Sequence, residues 1–409
     1  MSNRQSYDYL GVLAASCALA IGIGLERSEF AVLGNSMVSS GWIKPENIGQ
    51  LVGLNLAGYM VGAIHQARIQ NEIVSLRISR IGLYICIISF FVEPLIHTLG
   101  WHVLWRLISG WGCAQLVTGI PSFGIRRLDP SQKRAALGFT FAGAGFGAVI
   151  GSLLISAFTA GSTLGSWFLI GALTVVMAVP IYLLINREIS SLRESSNSTV
   201  QNQSSAVHVP QESGSALKAK SIQWKPSLVV FAITAFFFGA GQVSILTYEP
   251  LYLTSVFKMT EADASSSYSL VVFGYMIGAI IGGLIPKKFS TDLLLQISSW
   301  IGVIGITLFI GTPVISLVTL GGVLFGIWNG AYIGLLVARI GEVVGPTLAR
   351  KAWAIFSFVL SIGFIITTFV SGFISQFSVQ SIFYFGLALV VIHAFLENIT
   401  AYMFKKAGK

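Results

Sequence analysis

Apolar residues in this chain run in long blocks separated by short polar intervals, and the blocks are too long and too continuous for strands. Twelve stand out, at about 8–33, 46–66, 77–96, 101–124, 134–159, 163–185, 227–254, 264–285, 291–311, 313–338, 350–375 and 379–404. Most approach the roughly 20 residues that cross a bilayer. In lipid a segment must satisfy its own backbone hydrogen bonds, so blocks of this length predict helices. The pattern therefore predicts an all-α membrane protein with twelve transmembrane helices. One longer polar stretch, 187–225, interrupts the series; it is rich in Ser, Asn and Gln, as in Glu194-Ser195-Ser196-Asn197-Ser198-Thr199. Such a stretch cannot bury a core and is expected to be a flexible cytoplasmic tether. It divides an N-terminal six-helix bundle (1–186) from a C-terminal one (226–409). Trp224 beside Lys225 is expected to anchor the start of the seventh span at the interface.

The two halves share a repeat. Gly58-Tyr59-Met60-Val61-Gly62-Ala63-Ile64 returns as Gly274-Tyr275-Met276-Ile277-Gly278-Ala279-Ile280, 216 positions later. The same offset pairs Gly110 with Gly326, Arg134 with Arg350 and Gly147 with Gly363. A single shift held over so many landmarks predicts two copies of one membrane unit, an architecture common among secondary transporters. In the fifth span Gly143, Gly147 and Gly151 fall on one face, permitting close helix contact or a mobile interface between halves.

Composition agrees. Only 10% of the 409 residues are charged, against about 25% in soluble proteins. Mean hydropathy is +0.78. The net charge of +9 could suggest a nucleic-acid partner, but its distribution reports topology. With a cytoplasmic N-terminus and alternating spans, every Lys and Arg falls on the side of the termini except Lys44, Lys258 and two arginines inside spans, Arg27 and Arg106. That is the positive-inside rule, and no nucleic-acid partner is expected. Cys17, Cys86 and Cys113 all lie in spans, so no disulfide framework is expected. The first span is too long for a cleaved signal peptide. No Walker-type loop, metal-ligand spacing or nucleophile elbow is present, which argues against an enzyme, a cofactor or a bound metal.

Arg106-Leu107-Ile108-Ser109-Gly110-Trp111-Gly112-Cys113-Ala114 resembles the helix-4 pattern of the major facilitator superfamily: Arg, two residues, a polar residue, Gly, one residue, Gly and small residues. The polar position, usually Gln, is Ser109. Gly22-Ile23-Gly24-Leu25-Glu26-Arg27 followed by Gly58-Tyr59-Met60-Val61-Gly62-Ala63 is similar to the YbfB/YjiJ-type branch, with Ser28-Glu29-Phe30-Ala31 adding a carboxylate. The loop after the second span, His65-Gln66-Ala67-Arg68, lacks the usual Asp and basic cluster, whereas Pro286-Lys287-Lys288 keeps the basic pair. The fifth-span glycine run resembles the antiporter motif but has no Pro after a glycine. The resemblance implies two bundles that rock about a central cavity lined by spans 1, 4, 7 and 10.

Charges inside spans carry a functional hypothesis by default. Arg106 shares a helix face with His102, Ser109, Gly110 and Cys113. A guanidinium there can grip a carboxylate or phosphate bidentately, or can be tied to Glu26 or Glu29. Glu26 and Glu29 share a face of the first span, and a carboxylate kept from water can take a proton unless an arginine holds it charged. In the seventh span Gln242 and Glu249 lie on one face, with Glu249 before Pro250, where the helix can bend. Asn55 and Tyr59 share a face of the second span, Tyr275 repeats Tyr59, and Trp328, Asn329 and Tyr332 offer a ligand-like surface in the tenth. His393, Glu397 and Asn398 are expected off the main cavity.

The expectation is a monomeric transporter of the cytoplasmic membrane, with both termini cytoplasmic, coupling protons to a small organic solute, more readily anionic. Arg27 and Arg106 would hold the anion, and Glu26, Glu29 or Glu249 would carry the proton. Two alternatives stay open: an exporter of amphipathic or cationic compounds using the aromatic residues and Glu249, and a membrane sensor that moves nothing.

Overall fold

A computed structural model of the protein describes residues 8–158, 162–203, 222–284 and 289–407. The Lys287-Lys288 pair and residues 204–221 of the central connector lie outside these residues, as do the side chains of Arg134 and Arg350. Among the described residues the chain is helical throughout: α1 (Tyr9–Ser39), α2 (Pro45–Arg68), α3 (Glu72–Leu95), α4 (Leu99–Gly124), α5 (Pro130–Phe158), α6 (Thr163–Gln203), α7 (Pro226–Ser255), α8 (Glu261–Leu284), α9 (Thr291–Gly311), α10 (Ile315–Val344), α11 (Pro346–Ser375) and α12 (Val379–Lys406). Ten of these are long and apolar enough to cross a membrane by length and composition. The other two, α2 and α4, have the length, but Gly49, Gly53, Asn55, Gly58 and Gly62 in one and Gly100, His102, Arg106, Gly110 and Gly112 in the other dilute their hydropathy.

Two elements differ from the sequence expectation. The helix of the sixth span does not stop near 186 but continues to Gln203, so the first part of the polar stretch is helical. Glu, Arg, Leu and Gln there are good helix formers, and an existing helix propagates through polar sequence without a new nucleus. Within α1, residues Ala20–Ser28 form a π-helix, in which Glu29 N–H reaches back to Gly24 C=O at 2.9 Å. Such wide turns are uncommon and often mark functional sites. They re-aim successive side chains, which no apolar periodicity announces.

The repeat is visible in the packing. A Cβ on Gly58 would lie 2.2 Å from the Leu107 carbonyl, and one on Gly274 would lie 2.5 Å from the Val323 carbonyl. Gly110 likewise abuts the Asn55 carbonyl and Gly326 that of Val271. Each partner is displaced by the same 216 positions. α2 thus packs on α4 as α8 packs on α10, and α1–α5 is matched by α7–α11. Gly143, Gly147 and Gly151 face α1, meeting Ser16, Ala20 and the Glu29 carboxylate, so this face is packed within the first half. On another face of α5, Gly145 meets Met276 of α8. The halves touch along two related pairs, α5–α8 and α2–α11.

Candidate functional site

Between the halves lies a cavity of about 1160 Å³. Its mouth is lined by Gln66, Ile69, Gln70 and Glu72 around the α2–α3 turn, by Ser122 and Phe123 at the end of α4, and by Lys351 and Trp353 near the start of α11. It therefore opens at the end of the bundle where α1 begins and α12 finishes. Its wall carries Arg27, Ser28, Tyr59, Gln242, Thr247, Tyr275 and Asn329, with Phe364 beneath the arginine.

Arg27 projects from the π-turn of α1. Its guanidinium stacks 5.0 Å from the centre of the Phe364 ring, a cation–π contact from the opposite half. Among the described residues no carboxylate pairs with it. Tyr59 and Tyr275, the two tyrosines of the repeated heptad, both lie within electrostatic reach of it, one from each half. Across the wall, Asn329 has neither its amide nitrogen nor its carbonyl oxygen bonded, although the residue is 1% exposed. Gln242 donates to the Phe238 carbonyl at 3.2 Å. An unpaired cation, two hydroxyls and an unsatisfied amide converge on one space.

Arg106 is placed differently from the sequence expectation. It lies outside the cavity wall, 1% exposed, and is fully occupied. Its Nε sits 3.1 and 3.0 Å from the Glu93 carboxylate oxygens, and Nη2 donates to Glu93 Oε2 at 2.7 Å. Nη1 donates to the Glu26 carbonyl at 3.1 Å, and Nη2 lies 3.4 Å from Glu26 Oε2. Phe30 and Trp167 cover its face. Glu26 also accepts from Ser89 Oγ at 2.5 Å, and His102 Nδ1 stands 3.4 Å from Glu93. Glu26 and Arg27 are neighbours in sequence and so point to different sides of the helix, one into this cluster and the other into the cavity. Glu93 was not singled out by the sequence. Its signal was available: an acid inside the third apolar block, before Pro94, in the same Glu-Pro pair as Glu249-Pro250.

Asn55, Trp328 and Tyr332 also lie outside the cavity wall. Asn55 donates to Ser109 Oγ at 3.0 Å and to the Arg106 carbonyl at 3.3 Å, joining α2 to α4. Trp328 packs against Gly302 and Phe238. Tyr332 donates to Glu397 at 2.5 Å beside His393, in a buried cluster of the second half.

Glu29 and Glu249 lie beyond the cavity floor, both 0% exposed. Glu29 accepts from Ser152 Oγ at 3.0 Å, and Glu249 from Ser267 Oγ at 3.0 Å. Tyr268, on α8, which the sequence also did not single out, has its hydroxyl 2.8 Å from the Ser28 carbonyl of α1. Nothing distinguished it from the other aromatics of an apolar block.

Over residues 19–398 the sequence matches the family described as uncharacterised MFS-type transporter YbfB. The chain belongs to that family. The protein is a major facilitator superfamily transporter and not an enzyme. No curated protein matches it. Among solved structures it is similar to the nucleoside transporter NupG, at TM-score 0.72 and 14% identity, covering 96% of this chain and 99% of that one. It is also similar to a bacterial homologue of the human lysosomal transporter Spinster in an inward-facing, unoccupied conformation, at TM-score 0.69 and 16% identity, with 99% of each chain covered. At these identities the likeness is one of fold, and it carries the two-bundle architecture onto this YbfB-type chain. Among its described residues no group of three or more His, Cys, Asp or Glu side chains is arranged to hold a metal.

Proposed function

We propose that this protein is a secondary active transporter that moves a small anionic, carboxylate-bearing solute across the cytoplasmic membrane, coupled to protons. The observation that carries the reading is Arg27, a cation in the cavity wall with no acidic partner among the described residues. A guanidinium held in a low-dielectric site without a counter-ion is suited to an anion that arrives and leaves. Tyr59 and Tyr275 would donate to the same carboxylate, and Asn329 and Gln242 would meet the polar remainder of the solute. Arg106 is a poor candidate for substrate contact because Glu93 and Glu26 already hold it. The exporter of cationic compounds fits less well, since Glu72, an acid at the mouth, is paired with Arg126 at 3.0 Å.

The positive-inside distribution supports cytoplasmic termini. The mouth of the cavity then faces the cytoplasm, as in the inward-facing Spinster homologue. Of the candidate proton carriers, Glu26 is tied to Arg106, whereas Glu29 and Glu249 have no cationic partner among the described residues. The test is a thermal-shift screen of carboxylate metabolites on purified protein at two pH values, followed by counterflow in proteoliposomes. The expected result is a stabilising carboxylate whose exchange is lost in Arg27→Ala while that variant stays folded. Unchanged exchange in Arg27→Ala would remove the assignment.

A further inference from the structure

The floor of the cavity is stitched by one side chain. Tyr268 of α8 is 0% exposed, and its hydroxyl lies 2.8 Å from the Ser28 carbonyl of α1 and 3.0 Å from the Leu246 carbonyl of α7. Ser28 and Leu246 both line the cavity, so the stitch sits at its closed end and joins the backbones of the two halves. Glu29 follows Ser28 directly, and Glu249 is less than one turn beyond Leu246. Each half thus places one buried carboxyl within electrostatic reach of the same hydroxyl. Further hydrogen bonds across this end join uncharged groups: Ser265 donates to the Ser152 carbonyl at 2.8 Å, Ser156 and Ser266 share a hydrogen bond at 2.7 Å, and Thr254 donates to Asn35 at 2.9 Å.

The hydrogen bonding around these carboxyls suits the neutral acid. Glu29 Oε1 and Glu249 Oε2 are buried without any partner. Ser152 has a single hydroxyl proton but two neighbouring oxygens, the Ala148 carbonyl at 2.8 Å and Glu29 Oε2 at 3.0 Å. That one proton is shared between the helix carbonyl and the carboxyl, so the serine gives Glu29 little compensation for a negative charge. A Cβ on Gly151 would come within 2.9 Å of Glu29 Oε2, and Gly322 faces Glu249 Oε1, so both acids are packed against glycine rather than solvated. From α8, Tyr268 is the titratable group that faces both. Among the described residues none of α2–α6, packed on α1, nor α1, α2, α11 or α12, packed on α7, brings a charged group against either carboxyl; Arg106 of α4 meets α1 at Glu26 and is held there with Glu93 of α3. An isolated buried carboxylate with no counter-ion is costly, so a dry, sealed interface and two ionised acids are incompatible.

We propose that Glu29 and Glu249 form a two-proton latch, one acid from each half, that is protonated while this end is sealed and releases both protons to water when it opens. The latch deepens the proton coupling argued above and rests on that reading for its use in transport. Its physical behaviour needs no substrate. By linkage, the state that binds more protons loses ground as pH rises, so alkaline pH favours opening.

The experiment is spin-label distance measurement across the closed end, with labels at Lys44→Cys and Phe377→Cys, two exposed positions flanking α2 and α11. Cys17, Cys86 and Cys113 are replaced by alanine, and no solute is added. The protein with both acids intact is expected to show a short distance at acid pH and a growing longer population as pH rises. Glu29→Gln with Glu249→Gln, which fixes both groups neutral, is expected to keep the short distance at every pH. Tyr268→Phe removes the stitch but keeps both acids, and is expected to shift the distribution toward the longer distance already at acid pH. A distribution that ignores pH overturns the latch, as does a double variant that opens with pH like its parent or a Tyr268→Phe variant that shows no shift. If exchange depends on Arg27 while these distances ignore pH, the anion reading stands and the latch alone fails. If the distances shift with pH while exchange is unchanged in Arg27→Ala, the latch stands and the anion reading fails.

Discussion

Arg27 and Arg106 are the two arginines that sequence reasoning placed inside the membrane, and the structure gives them opposite surroundings. Arg106 is closed in by Glu93, Glu26, Phe30 and Trp167, with each of its three nitrogens hydrogen-bonded. Arg27 faces a cavity, resting on one aromatic ring, with two tyrosines in electrostatic reach and no carboxylate paired to it among the described residues. The same residue type on the same kind of helix is therefore a fixed strut in one place and an open valence in the other. What separates them is the partner supplied by the rest of the fold. A charge whose counter-ion belongs to the protein stabilises one arrangement; a charge without one is available to a solute.

The largest effect should come from breaking the strut. Arg106→Met leaves Glu93 buried and unpaired beside Glu26, which should cost about 3–5 kcal/mol. Thermal unfolding in detergent and yield in the membrane fraction would report it. Adding Glu93→Gln removes the stranded charge and should recover much of the loss. If Arg106→Met melts like its parent and loses only exchange, the distinction between the two arginines collapses.

Next is Arg27→Ala. Losing a charge-assisted hydrogen bond to an anion costs about 1.5–3 kcal/mol, or roughly 10- to 100-fold in affinity. Unfolding should barely change, because no buried carboxylate is left behind. Arg27→Lys keeps the charge but not the planar fork and should retain only part of the binding. A smaller effect is expected from the tyrosines: Tyr59→Phe and Tyr275→Phe should each weaken binding by about 10-fold at most, the worth of one ordinary hydrogen bond. Because they occupy equivalent places in the two halves, a large loss at one and none at the other would show that the anion sits off the pseudo-symmetry axis.

Much of this was legible in the sequence, for reasons that can be named. The 216-residue offset read from glycines reappears as backbone contacts displaced by the same number, because a glycine kept for close approach marks both the helix and its partner. Arg27, Tyr59, Gln242, Tyr275 and Asn329, all singled out in the sequence, line the cavity, but the shared faces read from periodicity did not separate them from Asn55, Trp328 and Tyr332, which lie outside it. For Arg106 the tie to Glu26 was one of the two readings the sequence left open, but its principal partner Glu93 was not legible, since that residue sits on another helix at the far end of an apolar block. Nor was the π-turn of α1, where Gly22 and Gly24 pack tightly against α4 and α5. Pairing between spans is a tertiary fact, and hydropathy carries no trace of it.

A third arginine calibrates the comparison at its weak end. Arg187, near the open mouth, grips Asp8 with two bonds of 2.8 and 2.7 Å, but both side chains keep contact with solvent. Burial alone would push the Asp8 carboxyl up; the Arg187 hydrogen bonds and the Gly11 N–H outweigh it and hold it below its usual value. A carboxyl held low in the folded protein contributes stability that is present above its ordinary pKa of about 3.9 and is lost as pH falls through the lowered value. Water and salt screen such a pair, so Asp8→Asn should cost no more than about 1 kcal/mol at neutral pH. Melting curves of the two proteins should differ slightly at neutral pH, differ less in high salt, and converge under strongly acid conditions. A difference as large as that of Arg106→Met would mean that solvent contact does not separate strong arginine pairs from weak ones here, and the contrast between strut and open valence would need another cause.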